Sequence, residues 1–434
     1  MYRPPFYRRI LPWLYILVFF ATAPLLIFYT AGYRYNAKKH DIERSGSLIV
    51  DTLPKGANVY LDGSDTHEIS PITFQNISPG WHEISLQKPG YHTWHHVLDV
   101  RAEQVTFANN VWLWKKSTPT LIHAGNMQQL RTDPTNSRMA VIFQQSSSSA
   151  LAFFSADAGW EAKGLIHDLA VTSSTIIRWR EDGQAFVVNG LSPQDKAWWG
   201  TVKQSPLSID ALPDGMYHWS QDELMGNSDD RSFRLDPDRN TFIRDVLATT
   251  TISMDRDITI STTHTSPNLL LTYKAFQTRL FSLPLGKWRI NALRHPFVLL
   301  QDRQRWLALA LNSTEPFITQ LEGDDPRWLE SKRIPHALFL NHNELWEWSL
   351  EQEPRLLWRQ SEPLIQATWH RSGRTVFVAT QHEVIALNID PEQSVATVPL
   401  AKFDKIHAMD VLDGNLLISG TRDGIQGLWS LPIE

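Results

Sequence analysis

The sequence predicts a mainly β protein with a single N-terminal transmembrane helix, a small β-sandwich and a seven- or eight-bladed β-propeller. Three stretches predict this fold class. Residues Ile10–Tyr33 contain no charged, amide or imidazole side chain. Residues Ser47–Trp114 contain short apolar runs separated by turn residues at intervals of about 8–12. Residues Leu121–Glu434 repeat a strand–turn–strand pattern about every 40 residues.

The stretch Ile10–Tyr33 is predicted to be an uncleaved membrane anchor. As a helix it would reach roughly 36 Å, enough to cross a hydrocarbon core of about 30 Å. A buried helix of a soluble domain would show a polar face, and this stretch shows none. A cleaved secretory signal is the alternative, because Ala21-Thr22-Ala23 resembles a cleavage site. Against it, Pro24 follows directly and the apolar run continues.

The orientation follows less directly from the charges. Three Lys and Arg residues lie close before the span and four close after it, so the positive-inside rule does not decide. An apolar segment behind a short basic tail is typical of an export signal. We therefore expect residues 1–9 to be a cytoplasmic tail. The protein would be single-pass in the cytoplasmic membrane, with its N-terminus in and the bulk of the chain extracytoplasmic.

Composition excludes several functional classes. The first 44 residues carry seven Lys and Arg against two Asp and Glu, whereas the remaining residues carry 34 against 44. This mildly acidic body argues against nucleic acid as a partner. The chain has no Cys, which excludes disulfides, thiolate catalysis and Cys-based metal sites.

Residues 34–46 are predicted to be a charged spacer at the membrane surface, and residues 47–114 a small all-β domain. Leu48-Ile49-Val50 begins a strand, and Asp62-Gly63 is a hairpin-type turn signal. In the run from Trp81 to Lys88, apolar and polar residues alternate in part. About six short strands with frequent turns predict a sandwich or a barrel.

The same segment resembles the PEGA domain, a small β module named for a Pro-Glu-Gly-Ala turn. Residues Pro54-Lys55-Gly56-Ala57 match that turn with Lys55 in place of Glu. Three further landmarks match in order and spacing: Ser70-Pro71, Ile77-Ser78-Pro79-Gly80 and Lys88-Pro89-Gly90-Tyr91. The resemblance implies a cell-surface or envelope module, often beside a membrane anchor, with no general catalytic role.

Residues 115–120 are predicted to be a linker, and residues 121–434 a β-propeller. Eight hairpins are predicted within 121–434, and their first and second strands are Met139–Gln144 with Ala150–Ser155, Ala185–Asn189 with Ala197–Val202, Glu223–Gly226 with Ser232–Asp236, Leu269–Ala275 with Arg279–Leu283, Phe297–Gln301 with Arg305–Leu309, Ala337–Asn341 with Glu344–Ser349, Val376–Gln381 with Glu383–Asn388, and Leu416–Gly420 with Gly427–Leu431. The clearest blade, Pro363–Leu400, resembles WD40-type propellers in outline, although their Trp-Asp and Gly-His signatures are absent. The blade count is seven or eight, because the fourth and fifth hairpins start only 28 residues apart.

Ring closure makes a separate prediction. The last hairpin leaves no residues for an outer strand of its own, whereas Thr120–His123 has the apolar and β-branched residues of a strand. We expect Thr120–His123 to pair beside Gly427–Leu431, which would cover an otherwise open sheet edge.

Motifs for chemistry are weak. The pairs His67-Glu68, His82-Glu83 and His382-Glu383 lack the second His that a zinc helix needs. His92 and His96 would share one strand face, and Asp236, Asp238 and Asn240 have the opening spacing of a calcium loop without its later Gly and Glu. For both sets an ordinary strand or turn is the favoured interpretation. We predict no catalytic residue, no metal and no cofactor, because nucleophile-elbow, Walker and dinucleotide motifs are missing.

Tryptophan is unusually abundant, with 18 residues. Most are expected to fill the space between blades. Trp198 and Trp199 are the candidate ligand platform, because adjacent strand residues face opposite ways and we do not expect both rings to lie in the core.

The predicted function is non-catalytic binding or scaffolding at the cell envelope, through the propeller, with an envelope protein or a glycan as partner. The alternative is an extracytoplasmic propeller enzyme, of glycan hydrolase or lyase type, with a dispersed active site. Two carboxylates facing each other in the channel would favour the enzyme, and a Trp-lined mouth without them would favour binding.

Overall fold

A computed structural model describes residues 7–433 except 31–32, 37–40, 145–147, 156, 158, 161, 170, 172–174, 191–194, 203–208, 221, 228–230, 247–250, 256–257, 264–265, 274–278, 285, 287, 295–296, 311–317, 325, 330–335, 350–351 and 390–394. The predicted tail up to residue 6, part of the predicted spacer and the end of the predicted strand Leu269–Ala275 lie outside the described residues. The described residues form one α-helix and 41 β-strands, so the mainly β class is confirmed. The chain divides into two compact units, Met1–Lys116 with Asp390–Val398, and Ser117–Ile389 with Pro399–Glu434.

The helix α1 spans Tyr7–Thr30, which starts and ends three residues earlier than the predicted span. Its window Trp13–Thr30 is long and apolar enough to cross a membrane, and none of it is buried. The hydroxyls of Thr22 and Thr30 donate to the carbonyls of Val18 (2.8 Å) and Leu26 (2.9 Å), so these polar groups are satisfied within the helix. N-terminal signal sequences share these properties, so the anchor and the signal remain alternatives.

The strands of the first unit form two sheets and one hairpin. Their bounds are β1 (Tyr33–Asn36), β2 (Asp41–Arg44), β3 (Gly46–Leu53), β4 (Asn58–Leu61), β5 (Ser64–Ile69), β6 (Ile72–Ile77), β7 (Gly80–Gln87), β8 (Trp94–Val100) and β9 (Val105–Trp112). The hairpin β1–β2 lies within the stretch predicted as a spacer. A three-stranded sheet, β6-β3-β9, and a four-stranded sheet, β5-β4-β7-β8, make up the predicted β-sandwich.

Local sequence explains the sandwich. Leu48 and Val50 of β3, and Ile84 and Leu86 of β7, are fully buried because side chains two residues apart share one face of a strand. The turn Asp62-Gly63 has positive φ at both residues (48° and 77°), as a two-residue hairpin turn requires.

The strands of the second unit are grouped into four-stranded sheets. Their bounds are β10 (Thr120–Ala124), β11 (Asn126–Thr132), β12 (Met139–Gln144), β13 (Ser149–Phe154), β14 (Lys163–Leu169), β15 (Ile176–Trp179), β16 (Ala185–Asn189), β17 (Ala197–Thr201), β18 (Ile209–Leu212), β19 (Met216–Ser220), β20 (Glu223–Asn227), β21 (Arg231–Asp236), β22 (Thr241–Val246), β23 (Thr251–Asp255), β24 (Ile258–Thr263), β25 (Ser266–Tyr273), β26 (Arg279–Leu283), β27 (Arg289–Arg294), β28 (Phe297–Asp302), β29 (Arg305–Ala310), β30 (Ile318–Glu322), β31 (Arg327–Trp328), β32 (His336–Asn341), β33 (Glu344–Ser349), β34 (Arg355–Arg359), β35 (Leu364–Trp369), β36 (Thr375–Thr380), β37 (Glu383–Asn388), β38 (Ala396–Lys402), β39 (Lys405–Leu412), β40 (Asn415–Arg422) and β41 (Ile425–Pro432).

These strands form antiparallel four-stranded sheets, as a propeller requires. Seven sheets take four consecutive strands each, from β11–β14 to β35–β38, and the eighth has the order β10-β41-β40-β39. All eight predicted hairpins are paired as expected. The propeller fold is thus confirmed, while the blade count of seven or eight stays a prediction.

Apolar clusters lie between successive sheets. In one cluster, Met127 and Phe154 from the sheet β11–β14 pack with Leu412 and Leu428 from the closing sheet. In another, Phe153 packs with residues of the sheet β15–β18. In these pairs each sheet covers the apolar face of its neighbour, which explains why such an array of sheets needs closure.

The predicted closing strand is confirmed. Strand β10 pairs antiparallel with β41, with Thr120 opposite Ser430, Leu121 opposite Trp429 and Ala124 opposite Gly427. A bulge at Ile122 shifts the register, and Ile122 packs against the cluster described above. A strand near the start of the chain's second unit therefore supplies the edge that the last hairpin lacks.

The sheet β23–β26 differs from the others. Its predicted hairpin, β25–β26, occupies the third and fourth positions, whereas in the other sheets the predicted hairpin is the central pair. In addition, β19 packs directly against β27, although β23–β26 separates them in sequence.

Candidate functional site

One edge strand from each of seven sheets lines a cavity of about 350 Å³, which we call the channel mouth. These strands are β11, β15, β19, β27, β31, β35 and β39. Within the described part of the chain, β23–β26 contributes no lining residue. The lining residues are Arg131, Thr132, Asp133, Pro134, Asn136, Arg178, Trp179, Glu181, Trp219, Asn291, Ala292, Pro326, Arg327, Trp328, Leu329, Thr368, Trp369, His370, Arg371, Asp410 and Val411.

Asp410 connects the strands that form the mouth. Its side chain lies on β39 and is almost fully buried. One oxygen, Oδ2, accepts the backbone N–H of Thr132 (3.0 Å) and the guanidinium of Arg327 (3.2 Å). The other, Oδ1, accepts the hydroxyl of Thr368 (2.9 Å) and the N–H of Val411 (3.0 Å). This carboxylate therefore joins β39 to β11, β31 and β35.

Three tryptophans repeat one contact around the mouth. The indole N–H of Trp179 donates to the carbonyl of Arg131 (3.0 Å), that of Trp219 to Arg178 (3.1 Å), and that of Trp369 to Arg327 (3.1 Å). A buried indole needs such an acceptor. Each bond runs from one sheet to another and fixes the backbone of an arginine that lines the mouth.

Positive charge dominates where the mouth meets solvent. Arg131, Arg178 and Arg327 are partly exposed and Arg371 is exposed. Of the acidic lining residues, only Glu181 is exposed. Arg178 is anchored, because its guanidinium also donates to the carbonyl of Tyr217 (3.1 Å).

The other two lining carboxylates, Asp133 and Asp410, are buried and accept hydrogen bonds from within the fold. Asp410 is described above. Asp133 accepts the hydroxyls of Thr135 (2.8 Å) and Ser137 (2.9 Å) and the N–H groups of Ser137 (2.8 Å) and Arg138 (3.1 Å), which stabilises the turn after β11. Neither carboxylate is presented to the cavity as a catalytic pair would be.

A second cavity of about 250 Å³ shares Arg131 and Arg327 with the mouth. It is also lined by Gln366 and His407. Burial, and then the charge of Lys405, lowers the pKa of His407 below its usual range. The two shared arginines therefore lie between the two cavities.

Trp198 and Trp199, the predicted platform, lie on β17 away from the mouth. Their rings lie on opposite faces of the sheet, as expected for neighbours in a strand. Trp199 is only 7% exposed and belongs to an apolar cluster, and Trp198 is partly buried against another. Their role as a ligand platform stays a prediction.

The residues considered above as a calcium loop and as a histidine metal site make ordinary contacts within the fold. The carboxylate of Asp236 accepts the N–H groups of Asp238 and Arg239, and Asp238 pairs with the buried Arg180 (2.9 Å). The hydrogen bonds that the Arg180 guanidinium donates to Asp182 raise the pKa of Arg180 above its already high value. His92 donates its backbone N–H to the carbonyl of Trp114, and the ring of His96 lies 5.5 Å from that of Trp94. Among the described residues, no group of three or more His, Asp or Glu side chains is arranged to hold a metal.

The mouth was not predicted residue by residue. A usable signal exists in the repeated pairing of a polar residue with Trp at strand ends, namely Arg178-Trp179, His218-Trp219, Arg327-Trp328 and Thr368-Trp369. Each pair ends its strand or lies one residue before the end, and in every pair the Trp lines the cavity, as do Arg178, Arg327 and Thr368.

Comparisons with known proteins cover both parts of the chain. Residues 45–111 match the model of the PEGA domain. Among curated proteins, none matches this sequence. The C-terminal WD40 domain of Sif2 is similar in structure, with 11% identity, a TM-score of 0.46 and coverage of 73% of this chain and 99% of that chain.

Two further structures are similar at lower scores. Hsv2 of Kluyveromyces lactis has 9% identity and a TM-score of 0.35, covering 56% of this chain and 88% of that chain. PorZ of Porphyromonas gingivalis, described as a surface component of the type-IX secretion system, has 13% identity and a TM-score of 0.39, covering 69% and 42%. Residues 45–111 of this chain are therefore a PEGA domain, and the four-stranded sheets described above form the β-propeller that follows it.

Proposed function

We propose that this chain is a membrane-anchored cell-envelope protein that binds or scaffolds a partner through its propeller, without catalysis. The proposed organisation is a tail (1–9), a membrane helix (10–33), a spacer (34–46), the PEGA domain (47–114), a linker (115–120) and the propeller (121–434). The division of the chain after Lys116 supports a linker at this place.

The composition of the channel mouth carries this proposal. Trp and Arg are the residue types that most often supply binding energy at protein interfaces. The mouth presents two partly exposed tryptophans, Trp219 and Trp328, and four arginines, whereas Asp133 and Asp410 are occupied by hydrogen bonds inside the fold. A binding surface matches this arrangement better than a hydrolytic centre does.

The membrane location is supported by the apolar helix and by the PEGA domain, a module of cell surfaces. We propose that the N-terminus is cytoplasmic and the rest of the chain extracytoplasmic. Protease added to intact spheroplasts should then degrade residues 47–434. Protection until lysis would reverse the orientation.

Photo-cross-linking in cells tests the binding role. A photoreactive amino acid replaces Arg371 at the mouth, and a control replaces Ile425, which is exposed (48%) beside the turn at the other end of the closing sheet. We expect a discrete cross-linked species from position 371 and none from position 425. No product, or the same products from both positions, would contradict the proposal.

A further inference from the structure

We propose that the channel mouth binds an acidic peptide segment of a protein partner, with the carboxylates of the peptide held by arginines of the mouth. This inference rests on the proposed binding function and names the chemistry of the partner.

The charge at the mouth is opposite to that of the chain. The chain has a formal net charge of −5. The mouth is lined by four arginines, Arg131, Arg178, Arg327 and Arg371, and by three carboxylates, of which Asp410 pairs with Arg327 and only Glu181 is exposed. Guanidinium groups bind carboxylates through paired, charge-assisted hydrogen bonds. The mouth therefore favours an anionic ligand, although the chain as a whole is acidic.

Hydrogen bonds hold the backbone of three of the mouth arginines in place. The backbone carbonyls of Arg131, Arg178 and Arg327 each accept an indole N–H from a neighbouring sheet, at 3.0–3.1 Å. Arg327 and Arg178 are further fixed by Asp410 and by the Tyr217 carbonyl. Preorganised donors lose less conformational entropy when a ligand binds.

The rest of the lining favours a peptide over a dense polyanion. The cavity of about 350 Å³ is at the small end of ligand pockets, roughly 300–1,000 Å³, so it can take a few side chains and not a long polymer. Trp219 and Trp328 are partly exposed and offer apolar contact beside the guanidinium groups. Glu181 at the rim disfavours a ligand with uniformly dense negative charge. Carboxylates interspersed with apolar side chains suit this lining.

Peptide binding to the purified full-length protein in detergent tests this. The probe is a fluorescein-labelled peptide in which Glu and Leu alternate, and its control replaces every Glu by Gln. We expect binding of the Glu peptide by fluorescence anisotropy, at least about tenfold weaker binding of the Gln peptide, and loss of affinity as salt rises.

Two variants on one turn provide the matched test. Arg371→Gln removes an exposed arginine of the mouth, and Arg374→Gln removes an exposed arginine three residues later that does not line the mouth. We expect about a tenfold rise in Kd for the first and no change for the second. Glu181→Gln should tighten binding of the Glu peptide a few-fold, a change that damage to the fold would not produce.

Several results would overturn the inference. These are equal binding of the two peptides, equal affinities of the Arg371 and Arg374 variants, or weaker binding by Glu181→Gln. Displacement of the peptide by a sulfated oligosaccharide of equal charge, at equal concentration, would also overturn the assignment to a peptide. If cross-linking from position 371 still captures a partner in cells, the proposed function stands and only the acidic chemistry is wrong.

Discussion

The substitution Asp410→Asn tests whether one carboxylate holds the inner strands together. The change conserves shape but removes the charge and replaces one oxygen by an NH₂ group. In either orientation of the new amide, at least one backbone N–H, of Thr132 or of Val411, faces a nitrogen in place of an oxygen. Arg327 also loses its buried anionic partner.

The expected cost follows from these contacts. An unsatisfied buried donor costs about 1–3 kcal/mol, and breaking a buried ion pair about 3–5 kcal/mol. Because the Arg327 side chain is 20% exposed, the lower ends of these ranges apply, and we expect about 4 kcal/mol in total. At about 2 °C per kcal/mol for a large domain, the melting temperature should fall by about 8 °C.

Thermal unfolding of the full-length protein, followed by tryptophan fluorescence, measures this loss. The control is Asp413→Asn, an exposed turn residue with φ of 46°, a conformation that Asn also tolerates. In the double variant Asp410→Asn with Arg327→Gln, the effects should be less than additive because the two side chains share one bond. A melting temperature for Asp410→Asn within about 2 °C of the control would refute the role assigned to this carboxylate.

Two further predictions concern ring closure and pH. Leu121→Pro should lower the melting temperature by several degrees, because proline cannot donate a hydrogen bond to the ladder between β10 and β41. The control Leu121→Ala should have little effect, since this side chain is 41% exposed. Equal melting temperatures of the two variants would contradict the closing role of β10. Burial lowers the pKa of His92 and His407 in the folded chain, with further lowering by Lys116 and Lys405. The unfolded chain therefore takes up these protons first as the pH falls below 6.5, so the free energy of unfolding should decrease there. Denaturant titrations from pH 7.5 to about 5 should show a flatter decrease for His407→Gln, and an unchanged slope would exclude this histidine as a cause.

Strand pairing was predictable because it depends on local patterns. Alternating or continuous apolar runs bounded by turn residues identified all eight hairpins of the propeller, and the missing outer strand of the last hairpin identified β10. The PEGA domain was recognisable from turns in which glycine adopts positive φ, such as Gly56 at 83°.

The channel mouth was not predictable in the same way. Its residues come from strands far apart in sequence, and their convergence depends on sheet register and ring geometry. Thr132 and Asp410, for example, meet across 278 residues. The short spacing of the fourth and fifth hairpins also has a structural origin, because β25–β26 lies at the end of its sheet and not at its centre.

The pairing of β10 with β41 has a consequence for the order of biosynthesis. The hydroxyl of Thr120 and the carbonyl of Ser430, which it reaches, are separated by 310 residues. At about 5–20 residues per second, β10 leaves the ribosome about 15–60 s before its partner exists. During this time its edge is open to pairing with other chains. A chain truncated before Ile425 could never close the ring, so interrupted synthesis should yield a product that aggregates or is degraded instead of a partly active protein.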